Sequence, residues 1–170
     1  MQRILFFLTC LVFFVVNSYA QQYEQSAGVR LGNTSGLDFK KFVAGEEAIE
    51  FLLSGRKNGV QLAGIYVFHQ PMEFSFNKNF YAYYGIGGHV GYEQYGRLSK
   101  TLVSVDPPEF VFEDKSYFVM GVDAIIGIEY RWLSVPITIG FDVKPYFSFI
   151  GMRHTRATFW DSAISFKYIF

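Results

Sequence analysis

Residues 161–170 read Asp161-Ser162-Ala163-Ile164-Ser165-Phe166-Lys167-Tyr168-Ile169-Phe170. Successive side chains of an extended strand point to opposite sides. Ile164, Phe166, Tyr168 and Phe170 therefore share one face, and Ala163, Ser165, Lys167 and Ile169 share the other. One face is apolar and aromatic; the other carries a cation. A soluble sandwich alternates in the same way, so the rest of the chain has to decide which face meets which solvent.

Seven further stretches before this one carry strand-like patterning: approximately Gln25 to Asn33, Gly36 to Val43, Ala48 to Ser54, Gly59 to His69, Asn79 to Tyr92, Tyr117 to Arg131 and Pro136 to Ile150. Only Glu46 to Leu53 has a competing helical reading, through Ile49, Leu52 and Leu53, and the alternation of Ile49, Phe51 and Leu53 against Glu50, Leu52 and Ser54 places it as a strand. The connections at Val43 to Glu47, Gln70 to Lys78 and Trp132 to Val135 are fairly short and contain Gly, Pro or Asn. Tyr92 to Ser116, with Asp106-Pro107-Pro108, reads as one long polar loop, and Gly151 to Arg156 as a final loop at the same end. No repeat beyond the strand period, no linker and no second domain is visible.

Assigning faces separates the charges. In the sixth stretch Phe118, Met120, Val122, Ala124, Ile126, Ile128, Tyr130 and Trp132 oppose Gly121, Asp123, Gly127, Glu129 and Arg131; in the seventh Ile137, Ile139, Phe141 and Val143 oppose Thr138, Gly140, Asp142 and Lys144. The fifth sets Phe80, Ala82, Tyr84, Ile86, Val90 and Tyr92 against Tyr81, Tyr83, Gly85, Gly87, His89, Gly91 and Glu93. A soluble lipocalin-like barrel puts the charged face outside, and a membrane barrel inverts the pattern. Three features favour the inverted form. The apolar segments match the roughly 9 to 11 residues of a tilted spanning strand; rings gather toward strand ends, as at Tyr66 and Phe68, Tyr130 and Trp132, Phe159 and Trp160; and the sequence closes on an aromatic strand. The expected fold is all-β, an eight-stranded antiparallel up-and-down transmembrane β-barrel.

The first twenty residues hold one charge, Arg3, then an apolar run from Ile4 to Val16 and the small residues Ser18 and Ala20. This is the pattern of a cleaved secretory signal peptide, residues 1–20, the run being shorter than the roughly 20 residues of a spanning helix. The barrel domain then covers residues 21–170. Cys10 lies in the leader, so a disulfide framework is excluded for the mature chain. Beyond the leader, 14 Lys and Arg face 15 Asp and Glu, a balance that gives no nucleic-acid footprint. The mature chain keeps 29 of the 34 aromatic residues, too many for a conventional core of this size, so many must face something other than water.

With these features in place, residues 21–170 resemble the small eight-stranded outer-membrane barrels of Gram-negative bacteria, the OmpA/OmpX-type superfamily. The closing strand from Ala163 to Phe170, with Phe166, Tyr168 and Phe170, looks like the C-terminal signal read by the outer-membrane assembly machinery. The resemblance implies a bacterial outer-membrane location, lipid and that machinery as partners, and a monomer. No peptidoglycan-binding domain follows, which removes wall anchoring from the implied functions.

The chemistry-bearing residues fall on the inward face. Arg30, Asp38, Lys40, Glu50, Arg56, His89, Glu93, Asp123, Glu129, Arg131, Asp142, Lys144 and Lys167 mix both signs at similar depths. Eight strands leave an interior just wide enough for side chains to fill, so an interior ion network is expected. His89 and Glu93 lie four apart on one strand face, roughly 13 Å, too far to pair directly. Glu129 and Arg131 are close enough to touch. Gly85-Ile86-Gly87-Gly88-His89-Val90-Gly91 misses the dinucleotide fingerprint, Val90 standing at its last glycine, and reads instead as room for a bulky neighbour or a sheet bend. Arg153, His154 and Arg156 read as rim residues, either solvated or facing lipopolysaccharide phosphates.

The expected function is that of an integral outer-membrane barrel with a packed polar interior, a structural or surface-interaction role, no catalysis and no cofactor. Two alternatives are an outer-membrane lipid-modifying enzyme, using His154 or His89, and a soluble periplasmic ligand-binding barrel.

Overall fold

The computed structural model describes residues 24–56, 59–74, 77–100, 110–132, 134–150 and 154–170, with the backbone alone at 73–74, 77–78, 95–100, 110–115 and 154. The leader, including Cys10, lies outside the described residues, as do the tip of the long connection at 101–109 and residues 151–153.

The described residues form ten strands: β1 Gln25–Gly32, β2 Ser35–Ala44, β3 Glu47–Arg56, β4 Gly59–Phe74, β5 Asn77–Lys100, β6 Phe110–Trp132, β7 Ile137–Val143, β8 Tyr146–Ile150, β9 His154–Thr158 and β10 Ser162–Ile169. Their order is β5-β4-β3-β2-β1-β10-β7-β6-β8-β9, and β5 also pairs with β6, which closes the sheet. β7 and β8 are two parts of one wall strand, and β9 and β10 of another. The result is a closed eight-stranded antiparallel barrel, with no helix among the described residues. The segment with competing readings is strand β3.

Both interruptions have a local cause. Pro145 separates β7 from β8; lacking an N–H it cannot donate to the ladder, yet its carbonyl accepts from the Ala124 amide at 2.9 Å. β6 holds the same register across the gap, with Ile126 opposite Val143 and Asp123 opposite Tyr146. On the facing side, Tyr146 pairs with Thr158 but Val143 with Ser162, so one additional residue is inserted between β9 and β10. Such a bulge switches the inward parity. Arg156 points in from an even position, whereas Asp161, Ala163, Ser165 and Lys167 are buried at odd ones.

Two expectations about loops are corrected. Most of Tyr92 to Ser116 is a continuation of the β5–β6 hairpin, paired from Glu93–Tyr117 out to Lys100–Phe110. Beyond Glu93 the backbone pairs of β5 and β6 are with each other alone among the described residues, and the sequence there carries no apolar alternation that would have marked it as strand. Residues 154–156, expected as loop, belong to β9, which pairs with β8.

The alternation of the strands is realised as burial. Leu52, Ala63, Ile65, Val67, Tyr83 and Ile125 form a small apolar cluster inside. Most other buried positions are polar or charged, while Leu37, Phe51, Ile86, Val122, Ile126 and Phe141 on the outer face are exposed. The end holding Gln25 and Phe170 is called proximal below, and the end holding the β1–β2 and β8–β9 connections distal.

Candidate functional site

Among the described residues the interior is lined with ion pairs at successive levels along the barrel. In the central layer, Lys167 on β10 lies 2.7 Å from both Asp38 on β2 and Glu50 on β3. Lys40 reaches Glu129 at 3.1 Å and Glu50 at 3.4 Å, and sits 4.5 Å above the Tyr83 ring. His69 completes it: Nδ1 is 3.3 Å from the Glu46 carbonyl, and Nε2 is 3.1 Å from Lys40 Nζ. With Nδ1 donating to that carbonyl, Nε2 accepts from the ammonium. On the proximal side Arg131 contacts Glu129 at 3.1 Å and Glu46 at 3.6 Å, with its guanidinium 3.5 Å from the Tyr81 centroid.

Distally, Arg30 donates from Nε and Nη2 to one oxygen of Asp142 at 3.1 and 2.6 Å, and from Nη1 to the carbonyl and hydroxyl of Thr34 at 2.8 Å each. The Thr34 hydroxyl donates to Asp161 at 2.6 Å. Lys144 bridges Asp161 at 3.5 Å and Asp123 at 3.1 Å. At the top, Arg56 and Arg156 both reach Oε1 of Glu93, at 2.6 and 2.5 Å, and Arg56 lies 4.4 Å over Tyr146. The cations Arg30, Lys40, Arg56, Arg131, Lys144, Arg156 and Lys167 thus meet the carboxylates of Asp38, Glu46, Glu50, Glu93, Asp123, Glu129, Asp142 and Asp161 nearly one for one. Unpaired charges at this depth would cost several kcal/mol each.

All the inward residues named from sequence lie in these layers. His89 and Glu93 do not meet each other; each faces its own partners. His69, Asp161, Thr34 and Ser148 were not singled out, although each shares the parity of inward neighbours on its own strand or turn. Arg156, expected at the solvated rim, instead turns inward to Glu93. The His154 side chain lies outside the described residues. Phe166 and Tyr168 are exposed on the outer face of β10, at the seam with β1, and Phe170, exposed just past the end of β10, donates its amide to the Gln25 carbonyl.

The distal layer also contains an arrangement that sequence reasoning missed. His89 on β5 places Nδ1 2.6 Å from Asp123 Oδ2 and Nε2 2.9 Å from Ser148 Oγ. These residues are far apart in sequence and meet because His89 is opposite Gly121 on β6 and Gly121 is opposite Ser148 on β8. A Cβ on Gly121 would lie 2.6 Å from the imidazole Cε1, so the ring reaches across a position that only glycine leaves open. Gly127 does the same for Tyr83, whose Cζ lies 2.6 Å from where a Cβ would stand. The bulky neighbours that inward glycines accommodate are these rings, and the glycines are those of β6. Comparison with protein-family models gives no match, and neither characterised proteins nor solved structures yield a similar chain.

Proposed function

We propose that this chain is an integral outer-membrane β-barrel of the OmpA/OmpX type, monomeric in the bilayer, whose wall is a scaffold that carries the distal hairpins to the cell surface. The observation that carries the reading is the outer face. Val29, Leu31, Leu37, Leu53, Val60, Leu62, Ile86, Val90, Val122, Ile126, Ile128, Phe141 and Ile164 are all exposed there. Each half-exposed side chain of this kind forgoes roughly 1 kcal/mol of the 1.5–3 kcal/mol gained on full burial. Summed around the wall, the deficit is on the order of tens of kcal/mol, more than the roughly 5–15 kcal/mol that holds a domain folded. Hydrocarbon outside the barrel removes the deficit.

Two arrangements support the same reading. Outward rings cluster proximally, with Tyr66–Phe68, Phe68–Tyr84 and Phe80–Tyr130 centroids 5.1, 5.6 and 4.9 Å apart. Others, such as Phe147–Phe149 at 5.0 Å, lie distally, as interfacial girdles would. A groove of about 510 Å³ on the outer wall, floored by the paired glycines Gly64 and Gly88 and flanked by Phe51, Leu62, Met120 and Phe149, suits an acyl chain. The ligand-binding alternative needs an apolar lumen, and this lumen is lined with ion pairs. The Phe166-Tyr168-Phe170 face on the closing strand is the proposed contact for the assembly machinery.

Fractionation of expressing cells, with gel mobility of the detergent-extracted protein before and after boiling, tests the proposal. Recovery in the outer membrane as a heat-modifiable band is expected. Recovery in the soluble periplasm would overturn it.

A further inference from the structure

We propose that Ser148, His89 and Asp123 form a nucleophilic site that cleaves carboxylic esters of amphiphiles near the distal rim of the barrel. The three groups have the mutual geometry of nucleophile, base and orienting acid. Asp123 Oδ2, 2.6 Å from Nδ1, accepts the Nδ1 proton, which leaves the Nε2 lone pair directed at the Ser148 hydroxyl 2.9 Å away. Lys144 Nζ, 3.1 Å from Asp123 Oδ1, occupies the other carboxylate oxygen and fixes the acid in place.

The row His89, Gly121, Ser148 continues to Arg156, the residue opposite Ser148 on β9. The Arg156 guanidinium itself is held by Glu93, further toward the rim than His89. The row then stops. β9 pairs only with β8 among the described residues, because the β1–β10 ladder ends at Gly32 and Ala163. The barrel is closed below this level, and β9 rises past the end of β1 with one edge unpaired among the described residues and with Phe159 and Trp160 71% and 78% exposed beside it. Ser148 itself is buried, and of the Arg156–Glu93 pair that crosses this layer the Arg156 side chain is 36% exposed. On the proposed route, substrate would reach Ser148 from the β9 side, past that pair.

The reaction balances without a cofactor. The Ser148 oxygen bonds to the ester carbonyl carbon as its proton passes to His89 Nε2. The carbonyl oxygen takes the negative charge. The tetrahedral intermediate then expels the alkoxide, which leaves as the alcohol with the proton from His89. Water attacks the acyl-serine by the same route and releases the carboxylic acid. The catalytic assignment is independent of the membrane proposal; the choice of an amphiphilic substrate rests on it, through the exposed ring pair beside β9.

The test uses the full chain folded in detergent micelles, with folding verified by circular dichroism, and a short-chain alkyl fluorophosphonate as the probe. A covalent adduct on Ser148 is expected, absent in Ser148→Ala and about 100-fold or more slower to form in His89→Gln. A folded wild-type protein that yields no Ser148 adduct overturns the proposal, as does a folded His89→Gln variant that labels at the wild-type rate. Labelling by wild type needs no variant to fold, so a misfolded His89→Gln leaves the test intact. Hydrolysis of a phospholipid ester in mixed micelles at least tenfold faster than a short water-soluble ester supports the substrate class, and equal rates overturn it. A protein that labels at Ser148 yet fractionates as soluble retains the catalytic site and loses the membrane reading. A membrane-resident protein with an inert Ser148 does the reverse.

Discussion

The central belt and the distal edge are built from the same strands but differ in closure. At the belt every strand has two neighbours, and Lys167, Lys40, Asp38, Glu50 and Glu129 lock against one another across β2, β3, β6 and β10. At the distal edge β8 and β9 continue past the end of β1, and one side of β9 has no partner strand among the described residues. The belt uses its charges to stay shut. The distal end sets a histidine, a serine and a carboxylate one strand or more away from that free edge of β9. Groups of similar chemistry thus lock the wall where the ladder closes and, on the proposal above, serve a reaction near the distal rim.

Perturbing the belt should cost most. Lys167→Met removes the cation between Asp38 and Glu50 and leaves buried carboxylate charge behind, with an expected loss of about 3–5 kcal/mol, measured as a shift in the denaturant unfolding midpoint. Next is Gly127→Ala. Its methyl would stand 2.6 Å from both the Tyr83 ring and the Phe141 carbonyl, an overpacking cost of about 1–3 kcal/mol read in the same unfolding experiment. The smallest effect is expected at the edge. Trp160→Ser removes a ring that is 78% exposed, so stability in detergent should change by no more than about 0.5 kcal/mol, while partitioning into phospholipid vesicles should fall. A Trp160→Ser loss as large as that of Lys167→Met would erase the distinction between the two regions.

Much of this was legible in sequence. Alternation in Tyr117 to Arg131 correctly separated Phe118, Val122, Ile126 and Ile128 from Asp123, Glu129 and Arg131, because strand parity is a local property. The same parity, carried on from Asp142 and Lys144, reaches Ser148, which was not singled out. What parity could not reveal is who stands opposite. Arg156 was read as rim because residues 151–156 were read as an outer loop, whereas 154–156 belong to β9, and the β5–β6 extension was read as loop because its sequence shows no apolar alternation.

The sequence by itself determined that this protein is made of strands, where most of them begin and end, and that its charges gather on one side of the wall. A two-residue period is enough for each of these. Only the tertiary structure decided that the sheet closes with β5 on β6, that the register slips by one between β9 and β10, and that His89, Asp123 and Ser148 meet over Gly121. Register is a relation between strands far apart in the chain, and a single residue inserted in one of them changes every pairing beyond it.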